Sequence, residues 1–263
     1  MKDRPIYIAS CSFGKDSMAT ILLAYLHNEP LDRIFSVEVM FDNANGISGE
    51  VPEHIQWVHN FAIPYLRVLF GNRVQIDIVK SKTDYVRAFT RKLTKSKAHP
   101  ERVGRALGFP MAGMCVINRD CKVATIKEYN KQFNQQLIQY IGIAADESER
   151  LKRLDGDKIS LLQKYGYTEK DAWDLCKRFG LLSPIYKISS RGGCWFCPNA
   201  KRSEQLYLRK NHPEIWARLE ELNATHKHEM ISKTFTIDKT FEQICKEMDF
   251  LDRQTKLDFG SYE

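Results

Sequence analysis

Residues 6–26 of the chain read IYIASCSFGKDSMATILLAYL, and this stretch decides the fold class. The short apolar run Ile6–Ala9 predicts a buried strand. The segment Met18–Leu26 is apolar nearly all round, which predicts a buried helix. Between them lies the tight loop SCSFGKDS at residues 10–17. The chain therefore opens with a strand, a short loop and a helix.

The same alternation of strands and helices continues to about residue 145. Further strands are predicted at residues 34–41, 74–79 and 136–143. Helices are predicted between them, at residues 51–69 with a kink or break at Pro64, at 83–93 and at 119–133. Residues 95–114 lack periodicity and form a long loop, a type of segment that is often functional. This alternation favours an α/β fold with a doubly wound, mostly parallel sheet.

From about residue 146 the sequence becomes helical and charged. Thr168–Asp171 resembles a helix start with a capping side chain, and Gly180 is a plausible stop. We therefore expect an α/β nucleotide-binding domain at residues 1–145. A helical C-terminal portion is expected at residues 146–263.

The composition excludes several classes of protein. The 263 residues are 43% hydrophobic and 28% charged, which excludes a wholly disordered chain. No apolar run approaches the roughly 18–20 residues of a membrane span, and the N-terminus shows no secretory signal, so a cytoplasmic protein without a membrane partner is expected. Seven cysteines in a reducing compartment indicate metal or redox chemistry rather than a disulfide framework.

The first loop has the features of a phosphate-binding site. It lies at the carboxyl edge of the predicted sheet, where open α/β sheets bind ligands. Gly14 permits close backbone approach, and the following helix start offers unpaired N–H groups and its positive dipole end. Ser12 and Ser17 add hydroxyl groups, and Lys15 adds a mobile cation. A plain glycine turn with a helix cap remains the alternative, and the spacing is not that of a Walker A loop.

Two pairs of cysteines have spacings typical of metal ligands. Cys115 and Cys121 form C-x5-C in the long loop, and Cys194 and Cys197 form C-x2-C next to glycines and a proline. Four thiolates suit a structural zinc or an iron–sulfur cluster, between which spacing does not decide. Small buried hydrophobic residues are the alternative. That alternative role is assigned to Cys176 and Cys245, and Cys11 beside the loop stays ambiguous.

Two further segments carry charged side chains. Asp146, Glu147 and Arg150 follow the fourth strand, where the acids could position Mg²⁺ or ribose hydroxyls and the arginine could meet a phosphate. An acidic helix start with an exposed arginine explains them equally well. Residues 87–105 hold seven lysines and arginines against the single acid Glu101, within a chain of net charge +7. This basic segment could meet the phosphates of nucleic acid or of a small nucleotide, or be a solvated face.

The loop SFGKDS resembles the PP-loop, SGGxDS, of the N-type ATP pyrophosphatases. Its SFG opening is similar to that of the phosphoadenosine phosphosulfate (PAPS) reductase branch, although Phe13 stands where the pyrophosphatase form has a glycine. The resemblance implies an adenine nucleotide alpha hydrolase-like fold and a site for the phosphates of ATP, PAPS or adenylyl sulfate. The implied phosphate-binding residues are Ser10, Ser12, Phe13, Gly14, Lys15, Asp16 and Ser17, with Lys15 and Asp16 as catalytic residues. Ala9 and Asp42 are implied to frame the adenosine.

Three later segments continue the resemblance in the same order along the chain. The segment GFP at residues 108–110, leading to Cys115 and Cys121, and the segment RGGCWFCP at residues 191–198 are similar to cysteine elements of PAPS reductase-like proteins. In cluster-bearing members such pairs hold a [4Fe-4S] cluster, so the resemblance favours this cofactor over zinc for the four cysteines. The segment GIAADESER at residues 142–150 is similar to the family's G-[IL]-R-x-D-E-S-x-R element. It implies nucleotide binding by Gly142, Asp146, Glu147 and Arg150, with Ala144 where a substrate-binding arginine often stands.

Three functional hypotheses are consistent with these motifs. In the preferred one, ATP with Mg²⁺ adenylates an acceptor, pyrophosphate leaves, and sulfur then displaces AMP beside the cluster. The second is a PAPS or adenylyl-sulfate reductase, which needs a mobile C-terminal cysteine nucleophile that residues 251–263 do not contain. The third is a nucleotide- or nucleic-acid-binding module with a structural zinc. Candidate partners are an adenine nucleotide, a nucleic-acid acceptor, a sulfur-donor protein and a second copy of the chain.

Overall fold

A computed structural model of the chain describes residues 4–110, 115–190 and 192–259, with side chains to residue 254. Residues 111–114 of the predicted long loop and Arg191 of the second cysteine segment lie outside the described residues. The contacts divide the chain into two units. Unit 1 comprises Met1–Glu38, Glu50–Ser81 and Ala124–Gly192. Unit 2 comprises Val39–Gly49, Lys82–Val123 and Gly193–Glu263.

The elements alternate along the chain. The strands are β1 (Ile6–Ser10), β2 (Arg33–Glu38), β3 (Met40–Asp42), β4 (Ile47–Ser48), β5 (Gln75–Lys80), β6 (Ala106–Gly108), β7 (Leu137–Ile141), β8 (Lys158–Ile159) and β9 (Met230–Ser232). The α-helices are α1 (Lys15–Leu26), α2 (Pro52–Trp57), α3 (Ile63–Phe70), α4 (Tyr85–Thr90), α5 (Ala124–Asn130), α6 (Ser148–Leu151), α7 (Leu161–Lys164), α8 (Glu169–Arg178), α9 (Arg202–Asn211), α10 (Pro213–His226) and α11 (Phe241–Phe259). Short 3₁₀ turns lie at Gly71–Arg73, Pro100–Arg102 and Pro184–Lys187.

Unit 1 contains a five-stranded sheet in the order β5-β2-β1-β7-β8, and each neighbouring pair is parallel. This confirms the predicted α/β class with a mostly parallel sheet. From β1 the chain adds β2 and then β5 on one side, whereas β7 pairs with the opposite side of β1. The strand order therefore reverses between β1 and β7, whose ends Ser10 and Ile141 lie side by side. In open α/β sheets this crevice is where ligands bind.

Helix α1 lies in the core of unit 1. Its residues from Ser17 to Ala24 are all buried, because apolar or small side chains occur on every face. It packs against α7 and α8 as well as against β1 and β7. Packing on all sides fixes the position of the helix N-terminus relative to the ends of these two strands.

Two predicted elements are interrupted. The predicted strand at residues 34–41 is split, since β2 ends at Glu38 and β3 pairs antiparallel with β4 in a hairpin. The predicted helix at residues 51–69 contains a π-helical turn, Val58–Ala62, between α2 and α3. Pro64 lies in the first turn of α3, where its missing N–H is tolerated, so the predicted break falls just before it.

Unit 2 is organised around aromatic side chains. The β3–β4 hairpin and the parallel pair β6–β9 belong to it, and α4 packs against both β3 and β6. Phe41, Tyr85 and Phe89 form a series of ring contacts, and Phe89 meets Phe109 edge to face. Such pairs contribute roughly 0.5–1.5 kcal/mol each beyond their buried area.

Helices dominate the chain after residue 145, as predicted, and α8 begins at the predicted Thr168–Asp171 capping box. However, β8 also lies in this part and extends the sheet of unit 1, and β9 pairs in unit 2. The contacts thus group segments from both sides of residue 145, and the single boundary there remains a prediction. Within the described residues, no helix is both long enough and apolar enough to cross a membrane.

Candidate functional site

The loop between β1 and α1 is held in one conformation by its own backbone and small side chains. Phe13 has a positive φ of 55° and its ring is buried in the core, an unusual pairing for a residue with a Cβ. The amide of Phe13 donates to the sulfur of Cys11 at 3.2 Å, and that of Ser12 donates to Ser17 Oγ at 3.2 Å. Ser17 Oγ donates in turn to the carbonyl of Gly14 at 3.0 Å. Backbone strain of this kind concentrates at functional sites.

A short turn of unit 1, Pro184–Lys187, supports the loop from outside. The amide of Lys15, the first of α1, donates to the hydroxyl of Tyr186 at 2.7 Å. This amide is one of the unpaired groups that a helix start offers to an anion, so the Tyr186 oxygen occupies an anion-binding position. Tyr186 is itself packed edge to face against Trp173, with ring centroids 5.0 Å apart.

His54 links the same turn to the loop by a second route. Its Nε2 lies 3.3 Å from the carbonyl oxygen of Ser12, and its Nδ1 lies 2.7 Å from Ser183 Oγ. Because a carbonyl only accepts, Nε2 carries the proton and Nδ1 accepts from the serine hydroxyl. Burial lowers the pKa of His54 to about 4, against the smaller opposing effect of the Ser12 carbonyl. The imidazole is therefore neutral at physiological pH and acts as a fixed bridge.

The charged side chains at the start of α1 form a compact group. Lys15 Nζ lies 2.8 Å from Asp16 Oδ1 and 3.0 Å from Glu169 Oε2. Burial opposes the charged form of Lys15, but the hydrogen bonds to both acids outweigh it and raise its pKa. Burial raises the pKa of Asp16, and the carboxylates of Glu169 and Glu147 add to this while Lys15 counteracts it. Lys15 thus stays a cation at the mouth of the loop.

The segment that follows β7 closes the other side of the crevice. A Cβ at Gly142 would lie 2.7 Å from the Ser17 amide nitrogen and 2.8 Å from the Asp16 carbonyl carbon, so only glycine fits there. Asp146 Oδ1 accepts from the amide of Glu169 at 3.1 Å. Glu147 accepts from the amide of Ala144 at 3.0 Å and forms an ion pair with Arg150. Gly142 and Glu147 thus lie close to Asp16.

The predicted adenosine-framing residues lie in different units. Ala9 is buried within β1. Asp42, in unit 2, accepts from the amides of Ala44 and Asn45 at 2.9 and 3.2 Å, so it caps the turn of the β3–β4 hairpin. Its role toward a nucleotide stays a prediction.

The four predicted metal-binding cysteines all belong to unit 2 and are outside any disulfide. Cys121 is fully buried in the π-helical turn Asn118–Val123, and Cys115 precedes this turn and accepts from the amide of Asn118 at 3.4 Å. The amide of Cys197 donates to the carbonyl of Cys194 at 3.0 Å, which forms a tight turn. Within the described part of the chain, no three ligating side chains stand at metal-binding range.

The C-x2-C turn is anchored to the β3–β4 hairpin by its two aromatic residues. The Trp195 amide donates to the carbonyl of Gly49 at 3.0 Å, and its indole N–H donates to the carbonyl of Ser48 at 2.9 Å. Phe196 packs so closely that a Cβ at Gly49 would lie 2.9 Å from its ring. The anchoring fixes the turn that carries Cys194 and Cys197.

The donor set suits a thiophilic metal centre. Cys115, Cys194 and Cys197 all act electrostatically on the hydroxyl of Tyr85, a buried group of the same unit. The Tyr85 oxygen is buried and has no hydrogen-bond partner among the described residues. Thiolates bind zinc and iron–sulfur clusters, and binding sites of this type commonly close only when the metal arrives.

Two of the remaining cysteines, Cys176 and Cys245, are poor nucleophiles. Cys176 is buried in α8 and its thiol donates to the carbonyl of Lys15 at 3.2 Å. Burial raises the pKa of Cys176 to about 12 and that of Cys245 to about 11. Both thiols are thus protonated at neutral pH, in keeping with the structural role predicted for them.

The basic segment at residues 87–105 is partly neutralised. Arg91 pairs with Asp120 at 3.1 Å, and Arg102 lies 3.5 Å from Glu101. Arg105 donates to the Met230 carbonyl at 3.0 Å. The rest of the segment's cations are exposed and take part in no ion pair seen among the described residues: Arg87, Lys92, Lys95 and Lys97.

Sequence reasoning missed the side chains that support the loop. His54, Ser183 and Tyr186 lie far from the loop along the chain, and none belongs to a recognisable motif. In the sequence, Glu169 is recognised only as part of a predicted helix start. Three-dimensional packing alone brings these four side chains to Ser12 and Lys15.

Neither a protein-family model nor a curated protein matches this chain. Among solved structures, it is similar to the U34-tRNA thiolase NcsA from Methanococcus maripaludis, a structure described with its [4Fe-4S] cluster. The sequence identity is 16% and the TM-score is 0.37, over 88% of this chain and 74% of that one. A likeness this distant assigns no function to the chain.

Proposed function

We propose that the chain is a PP-loop enzyme that binds ATP at the loop between β1 and α1 and adenylates an acceptor for sulfur transfer. The observation that carries this proposal is the position of the loop. It opens at the point where the strand order reverses, between the ends of β1 and β7, and Gly142 brings the two edges of the crevice into backbone contact. A strained loop, a helix N-terminus and a retained lysine cation at such a point suit a polyphosphate.

Each residue of the loop has a defined role in this proposal. The α1 amides and the hydroxyls of Ser12 and Ser17 hold phosphate oxygens, as does Ser10 at the strand end. Phe13 contributes through its backbone, because its ring is buried. Lys15 neutralises charge on the departing pyrophosphate, and Asp16 positions Lys15 through their 2.8 Å contact. Glu147 and Asp146 supply carboxylates for Mg²⁺ at the β7 edge, and Arg150 exchanges its ion pair with Glu147 for a phosphate.

The cysteines of unit 2 are proposed to hold the metal centre. Cys115, Cys121, Cys194 and Cys197 would bind a [4Fe-4S] cluster, with zinc as the alternative. When bound, an iron–sulfur centre would bind a sulfur atom and would accept or donate single electrons. The chain's own contribution is to fix the C-x2-C turn through Trp195, which donates both its N–H groups to the hairpin.

A nucleic acid is the acceptor class that the charges favour. Arg87, Lys92, Lys95 and Lys97 are exposed, and cations of this kind bind phosphates with a strength that falls as salt is raised. PAPS or adenylyl-sulfate reduction is less well supported. The raised pKa of the Cys245 and Cys176 thiols disfavours either of them as the attacking thiolate.

The test incubates the full chain with ATP, Mg²⁺, bulk RNA as the acceptor probe and sulfide as the sulfur source. The release of pyrophosphate and of AMP is then measured. We expect release by the wild type and a loss of ATP affinity of roughly 10- to 100-fold in Lys15→Met, because a charge-assisted contact contributes about 1.5–3 kcal/mol. Lys127→Met, at an exposed position of α5, is the matched control and should match the wild type.

Three results would overturn parts of the proposal. ATP binding that Lys15→Met leaves unchanged would place the nucleotide elsewhere. Tight ATP binding with no turnover in any acceptor mixture would favour a binding module. Sulfite release from PAPS with a thiol reductant would establish the reductase instead.

A further inference from the structure

The side chain of Tyr85 is almost completely buried in unit 2. It begins α4, directly after Asp84, which caps the helix by accepting from the amide of Arg87 at 2.7 Å. Its ring stacks on Phe41 at 5.2 Å and lies 4.3 Å from Phe196. Only 1% of the residue is exposed. The orientation of this side chain is therefore fixed by packing on more than one side.

The Tyr85 hydroxyl finds no hydrogen-bond partner among the described residues. Burying a hydroxyl without a partner destabilises the fold, and a phenylalanine would fill the same space without this cost. Buried polar groups of this kind need a specific explanation, such as an ion or ligand that they serve.

The surroundings of the hydroxyl supply that explanation. The thiols of Cys115, Cys194 and Cys197 all act electrostatically on this hydroxyl. A tyrosine O–H donates and a sulfur of a metal centre accepts, so these sulfurs are suitable partners for it. Phe196, which touches the Tyr85 ring, lies in the chain between Cys194 and Cys197, so the same contact holds the ring and the C-x2-C turn together.

We propose that Tyr85 is a positioning residue that donates an O–H···S hydrogen bond to a sulfur of the metal centre held by Cys115, Cys194 and Cys197. The inference rests on the metal centre proposed above and adds to it a residue outside the ligand set. Hydrogen bonds to cluster sulfurs stabilise the reduced, more negative state and so raise the reduction potential. For a zinc centre the same bond stabilises the bound thiolates, and the loss of such an outer contact typically weakens metal binding by about 10- to 100-fold.

The experiment compares the full-length wild type with Tyr85→Phe. Both are reconstituted anaerobically with ferrous iron and sulfide, and iron content, visible absorption and the midpoint potential are measured. A parallel titration with Zn²⁺ against a chelator gives the zinc affinity. Tyr140→Phe is the matched control, because Tyr140 is equally buried but lies on β7 of unit 1.

We expect Tyr85→Phe to keep its iron content but to show a more negative midpoint potential than the wild type, or a weaker zinc affinity if zinc is the metal. Tyr140→Phe should match the wild type in both readouts. A wild-type potential and a wild-type zinc affinity in Tyr85→Phe would overturn the inference and leave the metal centre intact. A wild type that takes up neither iron–sulfide nor zinc would overturn the metal centre itself, and the role of Tyr85 with it.

Discussion

At the scale of single residues, the candidate phosphate loop is held by side chains that arrive from distant parts of unit 1. His54 bonds to the carbonyl of Ser12, and Tyr186 accepts from the amide of Lys15. A typical hydrogen bond adds about 0.5–1.5 kcal/mol to stability, which is comparable to the strain of a buried left-handed residue such as Phe13. These contacts therefore suffice to offset the strain of the loop.

His54 predicts a pH dependence of stability. Its pKa is about 4 when folded, whereas the ordinary value is 6.5. Between these values the unfolded chain takes up a proton at His54 that the folded chain does not. The neutral His54 should therefore contribute its full stabilisation above pH 6.5. As the pH is lowered toward 4, the free energy of unfolding should fall by up to about 3 kcal/mol because of this group.

The measurement is denaturant unfolding of the wild type and His54→Gln at several pH values between 7 and 4. Glutamine does not titrate, so the variant should be less stable at pH 7 and should show a flatter pH dependence. Equal slopes for the two proteins across this window would refute the role assigned to His54.

Tyr186 predicts a change in nucleotide affinity. Its hydroxyl accepts the hydrogen bond of the first α1 amide, so a phosphate oxygen can bind this amide only by displacing the hydroxyl. Tyr186→Phe should therefore bind ATP more tightly by about fivefold, which corresponds to about 1 kcal/mol for one hydrogen bond. The check is a calorimetric titration, with Tyr165→Phe as the control because it removes a hydroxyl that instead bonds to Glu29. Weaker binding in Tyr186→Phe would show that the tyrosine supports the binding conformation rather than competing for the amide.

At the scale of elements, the candidate site depends on how closely the end of β7 approaches the first turn of α1. A side chain at Gly142 would disturb this approach, since its Cβ would lie 2.7 Å from the Ser17 amide nitrogen. Gly142→Ala must push backbone away from backbone, so we expect a loss of roughly 1–3 kcal/mol in stability together with weaker ATP binding.

Gly192→Ala is the control for stability, because a Cβ there meets nothing within 4 Å. Denaturant midpoints and ATP titrations of both variants provide the comparison. If Gly142→Ala unfolds at the wild-type midpoint and binds ATP normally, the close contact does not set the site.

The elements also show where sequence patterns succeed. The strand–loop–helix start, β5, β7 and the capped start of α8 lie where they are predicted, because apolar periodicity and capping chemistry are local. The break after β2 was not predicted, because it follows from the β3–β4 pairing. The predicted break at Pro64 appears as the π-helical turn Val58–Ala62 just before it.

At the scale of the whole molecule, the two units do not correspond to two consecutive stretches of the chain, because each combines three separate segments. Segments on either side of residue 145 contribute to unit 1, and the two predicted cysteine pairs both belong to unit 2 although 73 positions separate Cys121 from Cys194. Most of the net charge is likewise local, since residues 87–105 carry seven cations and one acid. The proposed phosphate site and the proposed metal centre therefore belong to different units.

The sequence by itself predicted the parallel α/β class, which the sheet confirms. It also predicted the phosphate loop and the four metal-binding cysteines, and these stay predictions that depend on residue types at short spacing. Only the tertiary structure decided that His54 and Tyr186 bond to that loop, that Gly142 touches α1, and that the hydroxyl of Tyr85 is buried without a partner among the described residues. Contacts between residues far apart in the chain leave no periodic or compositional signal, and they form only when burial of the apolar faces packs the elements together.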